Sequence, residues 1–367
     1  MSYPPPGPPK DARLIRRDAE GFNSGPPIGL LAAQPITPAP LFFTRSHAAA
    51  PVVDPATFRL KVHGLVRHTL DLSLEQLEQR FPAKAQAATL VCAGLRRDEL
   101  IATRPIPGEL PWGSDPISTG EWNGISLAAL LRAAEPLAEA QHVGFVGLDR
   151  VERHGHTFGF GGSVPLEKAM GEENLLATRL NGAPLPREHG YPLRGLIPGY
   201  IGARSVKWLG EIVLLSEPSS NYFQAHAYRV LREPDPRDPR DVTSGTPLGS
   251  VVLNSVIVTP EPGRTIGAGT VEVSGWALAP DQRKVARVEL SVDNGAHWAP
   301  VALYPVDRDG WAWTTWRATL RVSPGEHTLV VRAFDDAGGS QPERLTDVWN
   351  AKGYANNAWH RITLIAT

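Results

Sequence analysis

One cysteine in 367 residues excludes an intramolecular disulfide. A lone thiol is most often a small buried apolar side chain, so Cys92 needs informative neighbours before it means more. Charge of one sign is also missing. Lys and Arg number 37 against 38 Asp and Glu, for a net charge of −1, so no global basic field draws the chain to nucleic acid. Any anion site must be assembled locally from clustered Arg and Lys. No run approaches the roughly 18 apolar residues of a membrane span, and the Pro-rich N-terminus has no apolar signal-peptide segment. Arg16-Arg17 is followed by Asp18-Ala19-Glu20, not by the apolar stretch of a twin-Arg export signal. The cytoplasm is the expected location.

What is present is ordinary globular material, with 42% hydrophobic and 20% charged residues, enough for about two domains. Residues 1–40, rich in Pro and Gly, read as an extended arm that lies against the body or stays mobile. A first domain is expected over 41–232. Phe58, Leu60 and Val62 alternate with polar residues as in a strand. Ser73 to Gln76 is a capping box, opening a helix that Pro82 stops. Strands are expected at 89–92, 142–147 and 205–215, a helix at 126–134, and a hairpin over 175–185 turning at Asn181-Gly182. Short strands and helices without a regular βαβ repeat indicate an α+β domain. Residues 233–241, alternating Pro with charge, read as a linker. Beyond it, residues 242–367 show about seven short strand signals separated by turns, the pattern of an immunoglobulin-like sandwich.

Three clusters carry chemistry. In Val91-Cys92-Ala93-Gly94-Leu95-Arg96-Arg97 a strand ends in a thiol, a glycine allows close backbone approach, and two guanidinium groups follow. Such neighbours favour a thiolate and gather oxyanions. His189 to Arg194, then Gly199 to Trp208 with Arg204 and Lys207, combine glycines and cations suited to a phosphate. Phe42-Phe43-Thr44-Arg45-Ser46-His47 sets aromatics before a cation and an imidazole. Taken singly, each has a plainer reading: a buried Cys beside surface Arg residues, a glycine-rich loop with solvated charges, a structural His.

Together, and in this order with Trp349-Asn350 and Asn357-Ala358-Trp359-His360-Arg361, the motifs resemble those of the sulfite oxidase family across roughly residues 40–367. The resemblance implies a molybdopterin-binding α+β domain followed by an all-β dimerisation sandwich. It implies that Cys92 ligates molybdenum. It implies that Phe43, Thr44, Arg45, Ser46, His47, Asp149, His189, Arg194, Ser205, Val206 and Lys207 hold the pterin and its phosphate. It further implies a substrate pocket of Arg45, Arg97, Trp112, Tyr228 and Lys352, in which cations take sulfite for oxygen-atom transfer. Two positions depart from the family pattern. Lys352 stands where sulfite-oxidising members have Arg and nitrate-reducing members Met. It keeps the positive charge and loses the bidentate fork. Leu95 stands where many members have Asn. No haem or flavin module is recognisable, so electrons are expected to pass to an external acceptor, a separate protein or oxygen, and the resemblance implies a homodimer. The competing readings are nitrate or sulfoxide reduction on the same cofactor, and a non-catalytic binding protein.

Overall fold

The computed structural model describes residues 3–31, 34–231 and 245–367; the linker expected at 233–241 lies outside the described residues. No described helix is long and apolar enough to cross a membrane.

The arm lies against the first domain. Ile15–Arg16 pairs with Ser24–Gly25, and Ser24 exchanges both backbone hydrogen bonds with Thr44, at 3.0 and 2.7 Å. Further out, the Gly7 amide donates to Leu185 O and the Tyr191 hydroxyl to Pro4 O at 2.6 Å.

The first domain is built on two sheets. Its elements run β1 (Leu60–Gly64), β2 (Leu70–Leu72), α1 (Leu74–Arg80), β3 (Ala83–Val91), α2 (Arg97–Thr103), β4 (Ile117–Ser126), α3 (Leu127–Ala134), β5 (His142–Gly147), β6 (Gly161–Pro165), β7 (Leu175–Leu180), β8 (Ala183–Pro184), β9 (Arg194–Leu196) and β10 (Leu209–Leu215). One sheet has the order β6-β5-β10-β1-β2, with β10 parallel to β1. The other has the order β8-β7-β4-β3, with β9 on β7. Alternation in β1 buries Leu60 and Val62 and leaves Lys61 in solvent. The capping box forms: the Gln76 amide donates to Ser73 Oγ and the Ser73 amide to Gln76 Oε1. Such a cap contributes about 1 kcal/mol. Asn181 and Gly182, at φ 51° and 78°, supply the left-handed pair that a tight β7–β8 hairpin requires. The strand expected from Ser205 starts later, at Leu209. Gly202–Arg204 closes a 3-10 turn, and Trp208 at φ 48° interrupts extended backbone.

The second domain holds β11 (Asn254–Thr259), β12 (Thr265–Ile266), β13 (Gly269–Leu278), β14 (Val285–Ser291), β15 (Ala299–Pro300), β16 (Ala302–Pro305), β17 (Thr314–Val322), β18 (Gly325–Asp335) and β19 (His360–Ala366). They form sheets β11-β13-β17-β16 and β12-β19-β18-β14-β15. Ile257, Val273, Trp316, Leu329, Val331 and Leu364 close one apolar core between them, which needs no disulfide.

The two domains interlock. The Ala355 amide donates to Ala93 O at 2.8 Å, joining the second domain to the loop after Cys92. Arg96 is fully buried, with its backbone at φ 58°. It holds Glu99 through two 2.7 Å bonds, and Asn254 Oδ1 and Ala358 O across the boundary. Lys168 bonds Glu173 at 2.6 Å and Asp281 of the second domain at 2.7 Å.

Candidate active site

β3 delivers Cys92 to the floor of a cavity. Around it stand Phe43, Arg45, Ser46 and His47 from the segment after the arm, Asp149 and Phe160 beside β5 and β6, and His189, Arg194, Ser205, Lys207 and Tyr228. Cys92 is only 7% exposed and also touches an apolar cluster with Leu90 and Trp122. Its sulfur nevertheless opens onto the basic residues and accepts a hydrogen bond from the Gly94 amide at 3.4 Å. A dry interior far from those residues, the plainer reading of a lone thiol, is not what the fold provides.

Arg194 is buried, Arg45 and Lys207 are half-buried, and none has a carboxylate within ion-pair distance among the described residues. Arg194 spends its guanidinium on the carbonyls of His189, Ser205 and Gly195. Lys207 donates to Ser46 Oγ at 2.6 Å and Glu188 O at 2.9 Å. Arg45 donates to Asn23 Oδ1 and Ser46 O. Desolvation without a counter-charge lowers Arg194 to about 9. Burial, reinforced by Arg194, lowers Lys207 to about 7. A bound anion would relieve both.

The imidazoles are neutral. Burial first, then the neighbouring cations, holds His47 and His189 well below the usual histidine range. Arg45 Nη2 faces His47 Nδ1 at 3.5 Å, and His47 Nε2 lies 2.8 Å from the Tyr228 hydroxyl. Because Arg45 only donates, Nδ1 is the bare nitrogen and Nε2 carries the proton. The Tyr228 oxygen accepts that proton's bond, which leaves its own hydroxyl proton to donate into the cavity. Burial pushes the Asp149 carboxyl up, while Oδ1 accepts from the Phe160 amide at 2.8 Å.

Five residues expected at the site do not line this cavity. The Thr44 backbone is zipped to Ser24, and its Oγ1 is buried without a partner among the described residues. Val206, in the irregular segment before β10, is buried in the core with Leu193 and Leu209. Trp112 is fully buried beneath Arg17, whose guanidinium sits 5.8 Å from its ring. Arg97 and Lys352 stand one layer further out. Arg97 donates to Gly353 O and Leu110 O and lies over the Tyr354 ring. Its guanidinium passes where a Cβ on Gly94 would sit at 2.7 Å, and its Cγ where one on Gly353 would sit at 2.6 Å. Arg96, which the sequence grouped with Arg97 as an anion-gathering cation, is instead the interdomain clamp.

Other residues were missed. Tyr354 stacks on Tyr228 at 5.6 Å and 17°. Phe160 stacks on His47 at 5.4 Å. Lys10, lowered by burial to about 7, reaches from the arm to Phe42 O and, at 2.8 Å, to His189 Nε2. Each contact joins residues far apart in sequence. The one signal in the sequence was a Lys closing the Pro-rich run.

Among the described residues no group of three or more His, Cys, Asp or Glu could hold a metal. A metal at Cys92 therefore needs most of its ligands from a cofactor. A soft sulfur ligand beside a cavity of cations without ion-pair partners, with neutral imidazoles and one buried carboxyl, suits a dithiolene pterin bearing a phosphate. These residues define a site for a molybdopterin oxidoreductase.

Comparison with known proteins agrees. The oxidoreductase molybdopterin binding domain matches residues 47–223, and the Mo-co oxidoreductase dimerisation domain matches 248–367. Sulfite oxidase of Gallus gallus is 37% identical over 96% of this chain and 78% of its own length. That of Arabidopsis thaliana is 32% identical over 97% of this chain and 95% of its own. The mitochondrial sulfite oxidase of Homo sapiens is 38% identical, and the match spans 64% of its length. Among solved structures, the sulfane dehydrogenase SoxCD of Paracoccus pantotrophus superposes with a TM-score of 0.77 at 27% identity, covering 92% of this chain and 83% of that one. The chain belongs to the sulfite oxidase family.

Proposed function

We propose that the protein oxidises sulfite to sulfate with molybdopterin-bound molybdenum, and passes the two electrons to an external acceptor. The observation that carries this is the solitary Cys92 thiol opening onto a cavity whose cations, Arg45, Arg194 and Lys207, have no carboxylate within ion-pair distance among the described residues. Arg194, Lys207 and Ser205 would hold the phosphate. His189 and Asp149 would face the pterin. Cys92 would be the protein's ligand to the metal. When bound, the cofactor supplies the oxygen-atom-transfer and redox chemistry.

The chain's own residues bind and orient. Arg45 lends positive charge beside the thiol for an oxyanion. His47, made neutral and single-tautomer by Arg45, holds the Tyr228 oxygen so that the hydroxyl proton points inward. Phe160, Phe223 and Tyr354 pack around this pair and limit water. Water returns the oxygen atom that leaves with sulfate, and two protons and two electrons leave with each turnover. The dimerisation-domain match over 248–367 supports a homodimer. No haem or flavin takes part in this reading, so the acceptor is a separate protein or oxygen.

The test is metal and pterin analysis of purified protein, with sulfite and ferricyanide assayed against nitrate and reduced viologen. One molybdenum per chain and sulfite-dependent turnover are expected. Full metal loading with nitrate turnover alone would overturn the substrate, and absence of molybdenum would overturn the enzyme.

A further inference from the structure

Between the cavity and the second domain lies a group of charges that the reading above leaves unused. Glu109 sits in the loop from α2 to β4. One carboxylate oxygen meets Lys352 Nζ at 3.1 Å, and the other meets Arg97 Nη1 at 3.5 Å. The group adjoins the site. Arg97 covers Tyr354 at 5.0 Å, Tyr354 stacks on Tyr228, and Tyr228 lines the cavity with Cys92. Burial raises the Tyr354 phenol, and the Glu109 charge pushes it further the same way.

The surroundings of Glu109 are those an oxyanion would find: two cations from different domains, one partly buried and one almost wholly so. Both are immobilised. Arg97 is fixed by Gly353 O and Leu110 O, and Lys352 sits in a turn whose amide donates to Asn350 Oδ1. Arg45, by contrast, has no carboxylate partner among the described residues. An incoming anion therefore meets one cation without a carboxylate at the thiol and, beyond it, two that share a single carboxylate.

We propose that Glu109 is a specificity residue that sets the affinity of this site for oxyanions, because its carboxylate occupies the place of an anion between Arg97 and Lys352. The inference rests on the sulfite-oxidising reading. An oxyanion shares the two cations with Glu109 or displaces it, and binding is weakened accordingly.

The experiment is a calorimetric titration of holoenzyme with sulfate, the probe anion, alongside sulfite kinetics. Glu109→Gln keeps the shape and removes the charge. It is expected to tighten sulfate binding about tenfold and lower KM for sulfite to match, with the effect on KM rather than kcat. Lys352→Met alone is expected to raise KM. In that background the gain from Glu109→Gln should shrink to about threefold or less, as coupling between contacting charges requires. Unchanged or weaker sulfate binding in Glu109→Gln would overturn the proposal, because Glu109 would then be holding the cations in place for the substrate. A wild type inert to sulfite would sink the functional reading separately, while the sulfate titration still decides the role of Glu109.

Discussion

Two sets of buried and half-buried cations divide this molecule. At the domain boundary, Arg96 finds Glu99, Lys168 finds Glu173 and Asp281, and Lys352 finds Glu109. Around the cavity, Arg45, Arg194 and Lys207 find only carbonyls, a side-chain amide, a hydroxyl and an imidazole. Burying a charge without a counter-charge is costly. The chain pairs Arg96, Lys168 and Lys352 with carboxylates at the boundary and leaves Arg45, Arg194 and Lys207 unanswered where a ligand completes the set.

The comparison can be broken, beginning with the largest effect. Cys92→Ser should abolish sulfite turnover while circular dichroism and melting stay near wild type; retained turnover would remove the thiol from the chemistry. Arg96→Met strands Glu99 and severs contacts to Asn254 and Ala358. It should cost about 3–5 kcal/mol of stability in denaturant melts; a loss under 1 kcal/mol would erase the contrast between the two sets.

Lys207→Met should do the opposite to the cofactor-free protein while weakening pterin retention. The sign follows from proton binding. Lys207 and Lys10 are lowered to about 7, so between that pH and their unfolded values near 10 the unfolded chain holds more protons. Stability then rises with pH across this window. The melting temperature of cofactor-free wild type should climb from pH 7 toward 10, and Lys207→Met should start higher and climb less. A flat wild-type profile would contradict the burial of these amines.

Much of this was legible in the sequence, for local reasons. Alternation in β1, the cap at Ser73 and the Asn181-Gly182 turn are encoded within a few residues, and the structure follows them. Cys92 falls on the cavity at the end of a strand that the local pattern predicted, whereas Lys207 precedes its strand instead of lying within it. What was not legible is long-range. Trp112 reads as a pocket wall by its place in the sequence, yet Arg17 from the arm covers it. Val206 lies between two cavity residues and is buried in the core instead. Glu109 and Tyr354 carry no motif. They matter only because the second domain docks the turn at residues 350–355 onto the loop beyond Cys92.

That docking includes backbone hydrogen bonds from the Ala355 amide to Ala93 O and from the Ala351 amide to Leu231 O, with the Arg96 and Lys168 clamps alongside. Each domain thus completes part of the other's interior. Loosening the sandwich by heat or denaturant would unwall the Cys92 loop at the same moment, so the chain should melt in a single cooperative step, and the active-site spectrum should fade in parallel with the far-ultraviolet signal.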